Sequence, residues 1–199
     1  MTVAHRIAKV KRTTKETGIE LTLDLDGSGV YKVKTPVPFL SHMLEGFSKH
    51  SGFDLIVKAT GDTQIDDHHT VEDIGICLGE ALGEALGDKQ GITRFGHAYI
   101  PLDEALVRAV VDLSGRGTLN FKLNLNTKKR IGAFDTELVE DFFKALADNA
   151  PMTLHLEMIH GRNSHHIVEA AFKSVARALK VAVAHDAKSG GVPSTKGSL

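Results

Sequence analysis

The sequence has no tryptophan, two tyrosines, one cysteine and five prolines in 199 residues. A lone cysteine, Cys77, excludes a disulfide framework and fits a reducing compartment, so a cytoplasmic location is expected. Neither charge is in excess: 24 basic side chains face 25 acidic ones, a formal net charge of −1. That balance gives no electrostatic footprint for nucleic acid or an anionic membrane, and the scarcity of aromatics removes a base-stacking platform. No apolar run approaches the ~20 residues needed to span a bilayer. The basic opening MTVAHRIAKVKR has no apolar stretch behind it, which argues against a secretory signal. Hydrophobic residues at 42% and charged residues at 25% are ordinary for a globular chain, enough to bury a core in one large domain or two small fused ones. Against these absences stands one excess, eleven histidines. Histidine is the commonest metal ligand and titrates near neutrality, so the positions decide what the excess means.

Alternating Val, Ile, Leu and Thr predict strands over residues 4–13 and 19–26, and turn chemistry at Asp26-Gly27-Ser28-Gly29 predicts a third strand over 30–34. Helical spacing follows over 39–52, a strand over 54–60, and a helix over 71–86 that stops at Gly87. Further strands are expected within 98–125, broken by Gly115-Arg116-Gly117, then a helix over 136–147, a strand over 153–158 and a helix over 167–184. The order βββαβα thus occurs twice, about residues 1–92 and 93–187, followed by a Gly/Ser/Pro tail over 188–199.

The repeat is legible residue by residue. His68-His69-Thr70-Val71-Glu72 returns 97 positions later as His165-His166-Ile167-Val168-Glu169. His42 precedes the strand residue Leu55 by 13 positions, and Asp141 precedes Leu154 by 13. A unit this long is no solenoid repeat, and two half-domains packed together in one α+β domain fit better. On a helix, residues at i and i+4 share a face, so Glu72 can pair with His68 and Glu169 with His165. The adjacent His69 and His166 diverge from that face, which suits two different metal ions. Imidazole and carboxylate without thiolate fits Mn, Fe, Co, Ni or Zn rather than Mg alone. Cys77, among Ile74, Ile76 and Leu78, reads as core.

These motifs resemble the imidazoleglycerol-phosphate dehydratase family of histidine biosynthesis over essentially the whole chain. The resemblance is carried by Thr14-Lys15-Glu16-Thr17, Pro38-Phe39-Leu40-Ser41-His42-Met43-Leu44, Asp66-Asp67-His68-His69-Thr70-Val71-Glu72-Asp73 and Arg94-Phe95-Gly96. It continues through Asp112-Leu113-Ser114-Gly115-Arg116, Asn163-Ser164-His165-His166 and Pro193-Ser194-Thr195-Lys196-Gly197. It implies the ribosomal S5 domain 2-like fold, two sheets with helices packed between them. It also implies two Mn²⁺ ions per active site, one on His42, His69, His165 and Glu169, the other on His68, Glu72, His166 and a fourth ligand at position 141. The family often has histidine there. This chain has Asp141, a carboxylate able to coordinate Mn²⁺, and the repeat makes it the counterpart of His42.

The implied reaction removes water from D-erythro-imidazole glycerol phosphate to give imidazole acetol phosphate, with the substrate ring held as its imidazolate. Glu16 would face the substrate as an acid/base group, with Glu72 and Glu169 as further catalytic carboxylates. His50 would belong to the substrate-facing stretch. Phosphate recognition calls for separated cations, and the candidates are Arg94, Arg116, Lys173 and the tail Lys196 with Ser194 and Thr195. The family assembles as trimers built into a 24-subunit particle with active sites between chains. Residues alone leave other readings open: a dinuclear phosphoesterase using the same ligands on water, a ferritin-type metal store, which the strand segments oppose, and a nucleic-acid module, which the net charge opposes.

Overall fold

A computed structural model describes residues 5–125, 130–186 and 190–199. Ala4, the expected start of the first strand, and residues 187–189, where the second repeat meets the tail, lie outside them. In the first half, β1 (Ile7–Thr13), β2 (Thr17–Asp24), β3 (Tyr31–Lys34) and β4 (Asp54–Gly61) form one sheet in the order β1-β2-β4-β3. β3 runs parallel to β4, and the other pairs are antiparallel. Period-two alternation turns Ile19, Leu21 and Leu23 of β2 and Leu55 and Val57 of β4 to one buried face. α1 (Pro38–Ser51), closed by Gly52 in the left-handed conformation (φ 82°), joins β3 to β4, and α2 (His68–Leu86) follows β4.

The second half has the same arrangement. β5 (Phe95–Leu102), β6 (Ala105–Asp112), β7 (Thr118–Lys122) and β10 (Thr153–His160) form a sheet in the order β5-β6-β10-β7, with β10 parallel to β7. Its helices are α3 (Leu138–Asn149) and α4 (Ser164–Ala182). One feature was not foreseen: a two-stranded hairpin of β8 (Arg130–Ile131) and β9 (Phe134–Asp135) before α3.

Helices of one half pack on helices of the other. α1 lies against α4 and α2 against α3, while α2 also covers the first sheet and α4 the second. One cluster of buried side chains, including Phe47, Leu78, Phe142 and Phe172, therefore runs through both halves. The α2/α3 seam is tight because α2 carries glycine at every fourth position. A Cβ on Gly75 would stand 2.8 Å from the Phe142 carbonyl oxygen, and one on Gly79 2.7 Å from that of Leu146. Cys77 of α2 is fully buried, and burial pushes its thiol pKa up to about 12, as suits a core residue.

Candidate active site

Both His-His pairs occupy the first turn of a helix. α2 and α4 begin three residues earlier than the apolar periodicity indicates, because polar caps rather than buried side chains start them. At α4 the Asn163 side chain accepts from the His165 amide at 3.0 Å, and before α2 an Asp66 carboxylate oxygen accepts from the His68 amide at 2.8 Å. The i, i+4 geometry then holds at α4. His165 Nε2 lies 3.2 Å from Glu169 Oε2, and His42 Nε2, brought by α1, lies 3.6 Å from the same oxygen. The three ligand atoms are all within 4.8 Å of one another. Two imidazole nitrogens and a carboxylate oxygen without thiolate could hold a divalent metal ion. Glu169 Oε1 is occupied by Lys173 Nζ at 2.6 Å, so one oxygen is neutralised while the other faces the rings. Burial opposes ionisation of Glu169, but the Lys173 hydrogen bond and the nearby His42 and His165 outweigh it and hold its pKa below the ordinary value.

The α2/α3 seam presents the counterpart. His68 Nδ1 is 3.4 Å from Asp141 Oδ2, beside an open cavity of about 730 Å³ that both residues line. Glu72 follows His68 by one helical turn and is exposed. Among the described residues, only the α1/α4 seam gathers three ligand atoms this closely. The remaining two histidines of the pairs turn elsewhere. His69 Nδ1 is 3.0 Å from Asp62 Oδ2, a hydrogen bond that raises the ring's pKa. His166 Nδ1 is 2.7 Å from Glu104 Oε2. That bond, with the Asn163 amide on Oε1, holds the Glu104 carboxyl at about 2.

Glu16 stands exposed at the tip of the β1–β2 turn, and its charge is felt at His69. The turn is anchored from below. Thr14 Oγ1 accepts from the amides of Glu16 (3.1 Å) and Thr17 (2.9 Å), and the Thr17 hydroxyl donates to buried Asp73 of α2, which also accepts from Arg12 Nε at 2.8 Å. His50 lies near the basic α4 residues Lys173 and Arg177; partial burial and then these charges push its pKa down.

The described residues of the tail, 190–199, form no helix or strand, yet they are bound to the body. Gly91 N–H donates to the Gly191 carbonyl at 3.0 Å, and Arg94 Nη1 to that of Pro193 at 2.7 Å. Arg94, Arg116, Ser194, Thr195 and Lys196 line an open cavity of about 810 Å³. Within it the two arginines differ. Arg94 is braced by Asp112 at 2.7 and 3.2 Å, whereas Arg116 is exposed between Gly115 and Gly117. This cavity lies beyond the C-terminal ends of α3 and α4: the Arg94 amide donates to the Ala182 carbonyl, and Gly117 abuts Asp148. The metal-type ligands sit in the N-terminal halves of α1, α2, α3 and α4.

Sequence reasoning missed Asp62, Glu104, Thr14, Thr17, Asp73 and Asp112. Asp73 and Asp112 fall inside the motifs but bind protein rather than ligand. Glu104 has a faint signal, since it immediately precedes the second strand of its half as Glu16 does. Asp62 has none beyond its place after a strand.

The chain matches the family model of imidazoleglycerol-phosphate dehydratase over residues 35–179. It is 57% identical over 198 residues to the imidazoleglycerol-phosphate dehydratase of Halorhodospira halophila (strain DSM 244 / SL1), covering 99% of this chain and 100% of that one. Over 195 residues it is 57% identical to that of Desulforamulus reducens, covering 98% and 99% of the two chains. Among solved structures, the Staphylococcus aureus enzyme superposes with a TM-score of 0.82 at 44% identity, covering 90% of this chain and 99% of that one. The Pyrococcus furiosus enzyme in complex with (S)-C348 superposes with 0.82 at 41% identity, covering 96% and 100%. A ligand cluster on paired helix N-termini, a cationic cavity at the opposite ends and matches across nearly the full length agree, and the chain belongs to the imidazoleglycerol-phosphate dehydratase family, hydro-lyases of histidine biosynthesis.

Proposed function

We propose that the chain dehydrates D-erythro-imidazole glycerol phosphate to imidazole acetol phosphate on two Mn²⁺ ions, in a single domain that arose by duplication of a βββαβα half. The observation that carries this reading is the pair of seam clusters in repeat register. His42, His165 and Glu169 meet between α1 and α4, as Asp141 and His68, with Glu72 one turn on, do between α3 and α2. His69 completes the first ligand set and His166 the second. When bound, the two ions supply the Lewis acidity that favours the imidazolate form of the substrate ring. Glu16 moves a proton at the carbons beside the ring, on a turn kept in place by Thr14, Thr17 and Asp73. Glu72 and Glu169 hold negative charge at the two clusters. Lys173 and His50 border the substrate, and Arg116, Lys196, Ser194 and Thr195 take the phosphate in a cavity whose wall Arg94 supports.

Dimensions support a site shared between chains. Along α4, His165 and Ala182 are 17 residues apart, about 25 Å at 1.5 Å per residue. Ring and phosphorus of the substrate are joined by roughly five bonds of about 1.5 Å, less than 10 Å in all. One chain's α1/α4 cluster and its own cationic cavity are too distant to hold one substrate molecule. A homo-oligomer solves this by facing one copy's cluster with another copy's cavity and with its His69 or His166, as in the trimer-based 24-subunit particle of the family.

The test is turnover of imidazole glycerol phosphate after chelation and after return of Mn²⁺. Chelated protein is inactive and Mn²⁺ restores the dehydration product. Release of inorganic phosphate instead, or no turnover with any divalent metal, overturns the reading. Mixing refolded Glu169→Gln and Arg116→Ala chains, each inactive alone, restores activity only if sites are shared.

A further inference from the structure

The histidine that leaves the seam cluster in each half meets a carboxylate outside every motif. His69 Nδ1 is 3.0 Å from Asp62 Oδ2, and His166 Nδ1 is 2.7 Å from Glu104 Oε2. An ionised carboxylate only accepts, so Nδ1 carries the hydrogen in both rings, and in the neutral imidazole Nε2 keeps its lone pair. At His166 the Asn163 amide nitrogen, a donor, lies 3.4 Å from Nε2, while Asp103 Oδ2, at 3.8 Å from it, is beyond hydrogen-bond distance.

Neither carboxylate is a loose surface partner. The Asp62 side chain is 11% exposed, and its Oδ1 is buried with no partner among the described residues, so its one hydrogen bond is to His69. Leaving a carboxylate oxygen buried and unpaired is costly, and a site tolerates it where the group has a task. Glu104 Oε1 accepts from the backbone amides of Asn163 (2.8 Å) and Arg162 (3.3 Å), which ties the β5–β6 turn to the start of α4 and fixes the carboxylate against the ring. An isolated surface His–carboxylate pair would carry little meaning. Here the same arrangement meets repeat-equivalent rings, through residues drawn from unrelated elements, the end of β4 and the β5–β6 turn.

We propose that Asp62 and Glu104 are positioning residues that lock His69 and His166 as Nδ1–H tautomers and aim Nε2 outward as the metal-ligating nitrogen. Ligating histidines that donate their second N–H to a carboxylate gain basicity and a fixed orientation. The inference rests on the metal reading above. It also accounts for an asymmetry between the halves. Glu16 and Glu104 occupy equivalent positions, each directly before the second strand of its half, Thr17 and Ala105. Glu104 is committed to His166. In the first half Asp62 holds the ring, and the Glu16 carboxylate has no hydrogen bond among the described residues, so it is free for proton transfer.

The test is Mn²⁺ titration of the metal-stripped, full-length oligomer, reading free Mn²⁺ by EPR, together with the melting temperature of the metal-free protein. Asp62→Ala and Glu104→Ala each weaken one class of bound Mn²⁺ by about 10–100-fold; Asp62→Ala leaves the metal-free melting temperature unchanged, whereas Glu104→Ala also lowers it through the lost Asn163 and Arg162 bonds. Asp62→Asn and Glu104→Gln keep an acceptor oxygen, lose less affinity, and carry the test if an alanine variant fails to fold. Glu169→Gln is the control. Loss of Mn²⁺ there with full affinity in the Asp62 and Glu104 variants overturns this inference alone, whereas full affinity in Glu169→Gln overturns the metal reading beneath it.

Discussion

Gly79 and Gly83 lie one turn apart on α2 and face the same neighbouring helix, yet alanine at the two positions should act in opposite directions. A Cβ at Gly79 would be 2.7 Å from the Leu146 carbonyl oxygen, 2.8 Å from Asn149 Cβ and 2.9 Å from the Ala150 nitrogen. Two of these are backbone atoms, so no side-chain rotation relieves them and the helices must part. Such overpacking costs about 1–3 kcal/mol, against which alanine's better helix propensity returns about 1 kcal/mol. At Gly83 the nearest atom is the Asn149 carbonyl oxygen at 3.7 Å, ordinary contact, so the propensity gain stands alone. Gly79→Ala is therefore expected to destabilise and Gly83→Ala to stabilise. The propensity gain is common to both, so the gap is the overpacking cost of about 1–3 kcal/mol, or melting temperatures roughly 2–12 °C apart for a chain of this size. Melts at matched protein and metal concentration measure it, because assembly and bound ions both feed into stability. Since the same seam sets the 3.4 Å approach of His68 to Asp141, Gly79→Ala also weakens Mn²⁺ binding while Gly83→Ala does not. Equal melting temperatures for the two variants would refute the claim that backbone contact, rather than adjustable side chains, closes the seam.

Three further outcomes follow from particular contacts. Asp73→Asn removes the charge from a buried acceptor of Thr17 and Arg12, weakening bonds worth about 1–3 kcal/mol together. It loosens the Glu16 turn, so kcat falls while Mn²⁺ affinity holds; wild-type kcat would show that this anchor does not place Glu16. Arg6 holds the Asp26 carboxyl at about 2 through hydrogen bonds from Nε and Nη2, with burial opposing. A depressed folded pKa stabilises fully above the ordinary value of about 4 and stops doing so as pH falls through about 2. Asp26→Asn thus lowers the urea midpoint at pH 7, and its deficit closes between about pH 4 and 2; a deficit independent of pH would refute the pairing. Arg94→Lys loses the fork that grips Asp112 and the Pro193 carbonyl. It raises KM with kcat little changed, and an unchanged KM would mean that the tail needs no such brace.

Much of this protein was legible in one dimension because two periodicities and one recurring motif carry it. Alternation at β2 and β6, apolar spacing in α1 to α4, and the return of His-His-x-x-Glu after 97 residues required no coordinates. Helix starts were less legible at His68 and Ser164, since the Asp66 and Asn163 side chains take the first amides before any residue is buried. The β8–β9 hairpin, two residues per strand, is too short for any pattern to register.

The sequence by itself determined which residue types could hold a metal or a phosphate, and that the metal-type motif comes twice, because ligand chemistry and helical spacing are local properties. Only the tertiary structure decided their company. It set His42 beside Glu169 and His68 beside Asp141, because helices of opposite halves share seams. It put the cationic cavity at the far end of the helices, which no spacing in sequence could express. It also supplied Asp62 and Glu104, whose meaning lies wholly in the rings they face. A carboxylate after a strand or in a turn is an ordinary surface residue until folding brings a histidine to within hydrogen-bond distance of it.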